Sequence, residues 1–106
     1  MTAGTAHTLV TLTGECDLST GRQLRDVLTS EVSQGAERLI VDLSALAFMD
    51  STGMQVLLSA RSLLAVRGGS LVLVAPQPVV ARILELTGAS QLIPVYDSLE
   101  DAQTAD

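Results

Sequence analysis

The chain has 106 residues, 47% of them hydrophobic and 17% charged, which suits one compact domain rather than a disordered regulator. Its formal net charge is −6 and all six of its basic residues are arginine, so a nucleic-acid partner is not expected. No apolar run is long enough to cross a bilayer and the N-terminus lacks a signal-peptide pattern, so a cytoplasmic protein without membrane insertion is expected.

Strand-like and helix-like segments alternate in the first half of the chain. An apolar run flanked by threonines at residues 9–12 predicts a first strand. Residues 20–32 predict a helix, because their apolar side chains fall on one helical face. The nearly unbroken apolar run at 39–43 predicts a buried parallel strand, and residues 44–50 are predicted to form a loop.

The second half continues the alternation. Residues 52–66 predict a second long helix, and residues 71–75 a third strand. A Pro-Gln-Pro segment then opens another helix, which ends at Gly88. A short strand is predicted at 92–96, although Pro94 interrupts it, and Ser98 with Asp101 is predicted to cap a terminal helix.

The alternation predicts one α/β domain over residues 1–106, with a short flexible N-terminus at 1–6. Its sheet is expected to be small and largely parallel or mixed, with helices packed against it. Capping-box patterns, Thr20 with Gln23 and Thr52 with Gln55, are predicted to begin the first two helices.

The Asp-Ser-Thr-Gly segment at 50–53 joins a buried strand to a largely apolar helix, so Ser51 is expected at or beside that helix's N-terminus. Helix capping alone would explain these residue types. The following helix carries few polar residues, which leaves two interpretations open. Either the helix is simply well buried, or some of its apolar side chains are exposed as a partner-binding surface, the candidates being Met54, Leu57, Leu58 and Leu64.

The residues give little support to an enzyme. Ser51 is outside any Gly-x-Ser-x-Gly elbow, the only histidine is His7 near the terminus, and no P-loop or dinucleotide pattern occurs. Cys16 is the only cysteine, so neither an internal disulfide nor a cysteine metal cluster can form, and a small buried, unreactive thiol is expected there. No catalytic residue, metal or cofactor is expected.

Five short segments resemble, in order and spacing, the bacterial anti-sigma factor antagonists, which are STAS domains. They are Thr-Gly-Glu-Cys-Asp at 13–17, Val-Asp-Leu at 41–43, Phe-Met-Asp-Ser-Thr-Gly at 48–53, Gly-Gly at 68–69 and Leu-Thr-Gly at 86–88. The resemblance covers nearly the whole chain and implies a STAS-like α/β fold. Two features depart from the family. Cys16 stands where an aliphatic residue is usual, and the short stretch before Leu9 implies a first strand that is shortened or absent.

In that family the residue after the aspartate accepts a phosphate, which here is Ser51. The resemblance implies that the unphosphorylated protein binds an anti-sigma factor that is also a serine kinase, and so frees a sigma factor. Phosphorylation of the antagonist then separates the two proteins, and a phosphatase removes the phosphate. A STAS subunit of a larger signalling or transporter-regulating assembly is the alternative. The residues expected to contact the partner are Asp50, Thr52, Gly53, Met54 and Leu58.

Overall fold

The structure is a computed structural model that describes residues 7–17 and 19–104. The predicted flexible stretch at 1–6 lies outside the described residues, so that expectation remains a prediction. Within the described residues the elements are, in chain order, β1 (His7–Cys16), α1 (Gly21–Ser33), β2 (Arg38–Met49), α2 (Ser51–Val66), β3 (Ser70–Val74), α3 (Pro78–Leu86), α4 (Ala89–Leu92), β4 (Val95–Tyr96) and α5 (Leu99–Thr104).

The described strands form one sheet in the order β1-β2-β3-β4, and every neighbouring pair is parallel. The strands predicted at 9–12, 39–43 and 71–75 correspond to β1, β2 and β3. Helices connect successive strands, as a parallel sheet requires. The predicted α/β class with a largely parallel sheet is therefore confirmed.

The loop predicted at residues 44–50 is wrong, because β2 continues as a strand through Met49. Its second half pairs with the end of β1, where Met49 lies opposite Cys16. The pairing shifts register twice, and the second shift falls between Gly14 and Glu15, where Gly14 has a φ of 75°. These irregularities allow the strands to bend while they remain paired, so β2 delivers the chain directly to the start of α2.

The C-terminal region also differs in part from the prediction. The strand expected at 92–96 is only the two-residue β4, and Pro94 lies before it rather than inside it. The third strand ends before Ala75, whose φ of 55° lies in the left-handed region and cannot continue a strand. The predicted cap of the last helix is confirmed, because the backbone N–H of Asp101 donates to Ser98 Oγ at 3.1 Å.

The two faces of the sheet are covered unequally. One face carries the main core, to which α1, α2, α3 and α4 all contribute buried side chains. On the other face, α5 packs its Ala102 with Ile40, Val72 and Val74. Across residues 7–17 and 19–104, none of the helices has both the length and the hydrophobicity needed to span a membrane.

Candidate functional site

The segment that the sequence singles out lies where β2 passes into α2. Asp50 is the N-cap, with an extended backbone at φ −105° and ψ −172°, and α2 begins at Ser51. Asp50 Oδ1 accepts hydrogen bonds from the backbone N–H groups of Thr52 at 2.9 Å and Gly53 at 3.2 Å. These bonds satisfy two of the amides that a helix leaves unpaired at its start. Ser51 is therefore the first residue of a helix capped by its neighbour.

Both predicted capping boxes are wrong, because Asp50 caps α2 and the side chain of Thr20 does not cap α1. Thr52 lies inside α2, and Asp50 provides the cap. At the start of α1, Thr20 makes no side-chain cap bond, and its hydroxyl donates to the backbone carbonyl of Glu15 at 2.9 Å. Asp17 Oδ1 accepts from the backbone N–H of Thr20 at 3.2 Å.

Ser51 and Thr52 are neighbours with different surroundings. The Ser51 side chain is exposed, whereas that of Thr52 is half-buried. The Thr52 methyl group packs against Gly21, where an added Cβ would lie 2.8 Å from Thr52 Cγ2. Packing against α1 thus constrains Thr52, and Ser51 is the more accessible of the two hydroxyls.

Gly53 connects the start of α2 to the end of β1. A Cβ added at Gly53 would lie 2.5 Å from Cys16 Sγ and 3.1 Å from Met49 Cγ, so the close approach requires glycine. The backbone N–H of Asp50 also donates to the Cys16 carbonyl at 3.0 Å. Cys16 is 4% exposed, and its burial is as predicted. That burial raises the pKa of the Cys16 thiol, and the carboxylates of Asp50 and Asp17 raise it further.

Of the two interpretations left open for the apolar side chains of α2, the buried one holds for Met54, Leu57 and Leu64, with Met54 only 4% exposed. The Met54 side chain is therefore not available at the surface to contact a partner.

Leu58 is half-buried. It belongs to an uncharged series that follows Ser51 at helical spacing along the outer side of α2, hereafter the outer stripe: Ser51, Gln55, Leu58, Ser62 and Val66.

Two helix N-termini lie close together at this site. Gly21 at the start of α1 packs on Thr52 near the start of α2, and at the opposite ends Arg67 Nη1 donates to the Val32 carbonyl at 2.8 Å. The two helices therefore run side by side in the same direction. Their positive dipole ends both favour negative charge near Ser51. The prediction from sequence missed Gly21, since nothing in the local pattern shows that it packs on α2.

Comparisons with known proteins agree on the family of the chain. A family model described as the STAS domain matches residues 2–102. The anti-sigma F factor antagonist of Paenibacillus polymyxa is 31% identical over 97 residues, which cover 91% of this chain and 83% of that protein. An anti-sigma factor antagonist from Mycobacterium paratuberculosis, solved by crystallography, is 31% identical with a TM-score of 0.87, covering 94% of this chain and 85% of that one.

The Bacillus protein SpoIIAA, an anti-sigma factor antagonist, has been solved in two forms. Its unphosphorylated form is 25% identical with a TM-score of 0.79, and the match covers 96% of this chain and 89% of that one. Its phosphorylated form gives 24% identity and a TM-score of 0.70, covering 96% and 92% of the two chains, which shows the shared fold alone.

Proposed function

The chain belongs to the STAS domain family, and we propose that it is an anti-sigma factor antagonist switched by phosphorylation of Ser51. Relatives with that name are regulatory proteins rather than enzymes, as the sequence led us to expect. In this proposal the unphosphorylated protein binds an anti-sigma factor that is also a serine kinase, which frees a sigma factor. Phosphorylation separates the two proteins, and a phosphatase restores the antagonist. The cycle would run in the cytoplasm.

The exposure of Ser51 at the first position of α2 carries this proposal. A kinase must reach the acceptor hydroxyl, and the Ser51 side chain is exposed while Thr52 is held against Gly21. SpoIIAA has been solved in a phosphorylated form, so a protein with this fold can carry a phosphate. Ser51 therefore fits the role of acceptor better than its neighbour does.

The outer stripe is the proposed contact surface for the partner. It has no charged side chain, so a partner can cover it without desolvating an ion. Leu58 would contact the partner from this stripe, and Asp50 and Thr52 would border it. Gly53 and Met54 were predicted as contacts, but they are buried, so they would instead hold the first turn of α2 in place by packing.

A phosphate at Ser51 is expected to act on binding rather than on folding. It adds about −1.5 to −2 charges at neutral pH. The helix N-terminus favours that charge by about 0.3–1 kcal/mol, whereas the Asp50 carboxylate opposes it, so the net effect on folding should be small. At an interface, a buried and unpaired dianion costs several kcal/mol to desolvate. Loss of the partner is therefore the dominant effect.

The acceptor can be identified with two matched variants. After incubation with ATP and the anti-sigma kinases of the host, mass spectrometry should find phosphate on the wild type but not on Ser51→Ala. Thr52→Val is the control, because it keeps the methyl packing on Gly21 while removing the hydroxyl, and it should be phosphorylated like wild type. A phosphate on Thr52 of Ser51→Ala at the wild-type rate would overturn the assignment.

The consequence of the charge is tested by Ser51→Asp, a single-charge mimic. Its melting temperature should stay near that of wild type while titration calorimetry shows most of the affinity for the kinase lost, and Ser51→Ala should keep that affinity. A Ser51→Asp protein that binds normally, or that unfolds, contradicts the mechanism. The alternative of a STAS subunit would instead give a stable high-mass complex without a kinase and without phosphate on Ser51.

A further inference from the structure

A cavity of about 220 Å³ lies between β1 and α1, beside the candidate site but separate from the outer stripe. Aliphatic side chains and one thiol form much of its wall: Val10, Leu12, Leu24, Val27, Leu46 and Cys16. An enclosed apolar cavity of about 150 Å³ is enough to bind benzene, and the present space is larger but partly open to solvent. The space between β1 and α1 is therefore large enough for a molecule with one ring and a short substituent.

The remaining lining residues define the charge that such a molecule can carry. Four of them are uncharged polar residues, and Glu15 is the one charged residue among the described lining. Glu15 is exposed, and a negative charge beside an apolar space disfavours an anion and favours a cation or a hydrogen-bond donor. The lining is thus complementary to a molecule that is apolar at one end and carries an amine at the other.

We propose that this cavity is a binding site for a small monocyclic amine. The ring occupies the space among Val10, Leu24 and Leu46, and the ammonium group lies near the Glu15 carboxylate. Val27 lines the same space and is 46% exposed, so a bound ring would shield apolar surface that water now contacts. The site does not depend on phosphorylation of Ser51, so it can be tested independently of the proposed switch.

The wall of the cavity is shared with the start of α2. Cys16 lines the cavity, its Sγ is in close contact with Gly53, and its carbonyl accepts the N–H of Asp50 at 3.0 Å. A molecule seated against Cys16 therefore changes the surroundings of the α2 backbone. Binding should be visible at the amides of Asp50 and Gly53 as well as at the methyl groups of the cavity.

Benzylamine is the probe for this proposal, and benzoate is its oppositely charged control. Titration of the full chain, followed by NMR of the methyl groups and backbone amides, should give saturable shifts at Val10, Leu24 and Leu46 with a Kd on the order of 1 mM for benzylamine. Benzoate should bind roughly fivefold more weakly or not at all. The net charge of −6 attracts cations everywhere, so Glu15→Gln must remove most of the difference between the two probes.

A second variant tests the location. Val27→Phe places a ring at the cavity and should weaken benzylamine binding at least fivefold, while Val79→Phe, at a valine of α3 that is 56% exposed and outside the lining, should leave binding unchanged. The proposal is overturned by non-saturable shifts with benzylamine, by equal binding of benzoate, or by equal binding to the wild type and Val27→Phe.

Discussion

The starts of α1 and α2 lie side by side, and each follows a strand and an aspartate. Asp50 immediately precedes α2, so its carboxylate caps the helix and Ser51 becomes the first helical residue. Asp17 lies further from α1, where its carboxylate holds a turn, and the first helical residue is the buried Gly21. The two first turns thus differ in their caps and in their first residues. At α1 the first turn presents a packing surface, and at α2 it presents an accessible hydroxyl.

The largest effect on stability is expected from the buried side chains that anchor the first turns of α1 and α2. Met54 and Leu24 are each the fourth residue of their helix, and they are 4% and 6% exposed. Met54→Ala and Leu24→Ala should each lower the free energy of unfolding by about 2–5 kcal/mol, because each leaves a cavity in the core. Urea denaturation measures both losses.

Leu58→Ala is the control for this pair, since Leu58 is half-buried on the outer stripe. It should destabilise the fold less than Met54→Ala, yet weaken binding to the kinase by more than ~1 kcal/mol. If Met54→Ala were as stable as wild type and lost only binding, Met54 would be an interface residue after all, and the anchoring role would be wrong.

The sequence predicted most of the elements around the site but not the contacts that distinguish its residues. Local patterns placed Ser51 at a helix start, because strand, aspartate and apolar helix are contiguous there. They did not show that Thr52 packs on Gly21 or that Gly53 touches Cys16, since both contacts join segments distant in the chain. The false loop at 44–50 has the same cause, because pairing with β1 extends β2 through that stretch.

The next effect in size concerns the two glycines of the helix starts. A Cβ at Gly53 would lie 2.5 Å from Cys16 Sγ, and a Cβ at Gly21 would lie 2.8 Å from Thr52 Cγ2. Gly53→Ala should cost about 1–3 kcal/mol of stability, because Cys16 is buried and has little room to move. Gly21→Ala should cost less, because its Cβ would meet only the half-buried Thr52, whereas a Cβ at Gly53 would meet the buried Cys16 and Met49. Chemical denaturation of both variants ranks them.

A double-mutant cycle identifies the cause of the Gly53 effect. Cys16→Ala removes the sulfur that the new methyl group would meet, so Gly53→Ala should be less destabilising in the Cys16→Ala background than in wild type. Additive losses would mean that the strain lies elsewhere, for example against Met49, whose Cγ would be 3.1 Å from the added Cβ.

A smaller effect is expected from the cap of α2. Asp50→Ala removes the acceptor for the N–H groups of Thr52 and Gly53 and should cost about 0.5–2 kcal/mol. Asp50→Asn should retain most of the stability, because asparagine is an equally good N-cap. Thermal unfolding of the two variants distinguishes these outcomes. Equal losses in both would show that the charge of Asp50, rather than its hydrogen bonds, stabilises the start of α2.

The smallest effect belongs to Asp17 at the start of α1, and it depends on pH. The Ser19 hydroxyl donates to Asp17 Oδ1 at 2.6 Å, and this bond, with the backbone N–H groups of Ser19 and Thr20, lowers the pKa of Asp17 below its usual 3.8. Because the folded state holds the proton less tightly than the unfolded state, the stabilisation is present above pH 3.8 and is lost as the pH falls through the lowered pKa.

The stability difference between wild type and Asp17→Asn should therefore stay constant near neutral pH and shrink on acidification, as measured by urea denaturation over a pH series. The change should be small, because Asp17 is solvent-accessible and water screens its interactions. Ser19→Ala removes the largest cause of the shift, so NMR titration of the Asp17 carboxyl should show its pKa moving back toward 3.8. A wild-type pKa at or above 3.8 would show that the turn before α1 does not depend on the charge of Asp17. In that case the starts of α1 and α2 would differ only in the geometry of their hydrogen bonds.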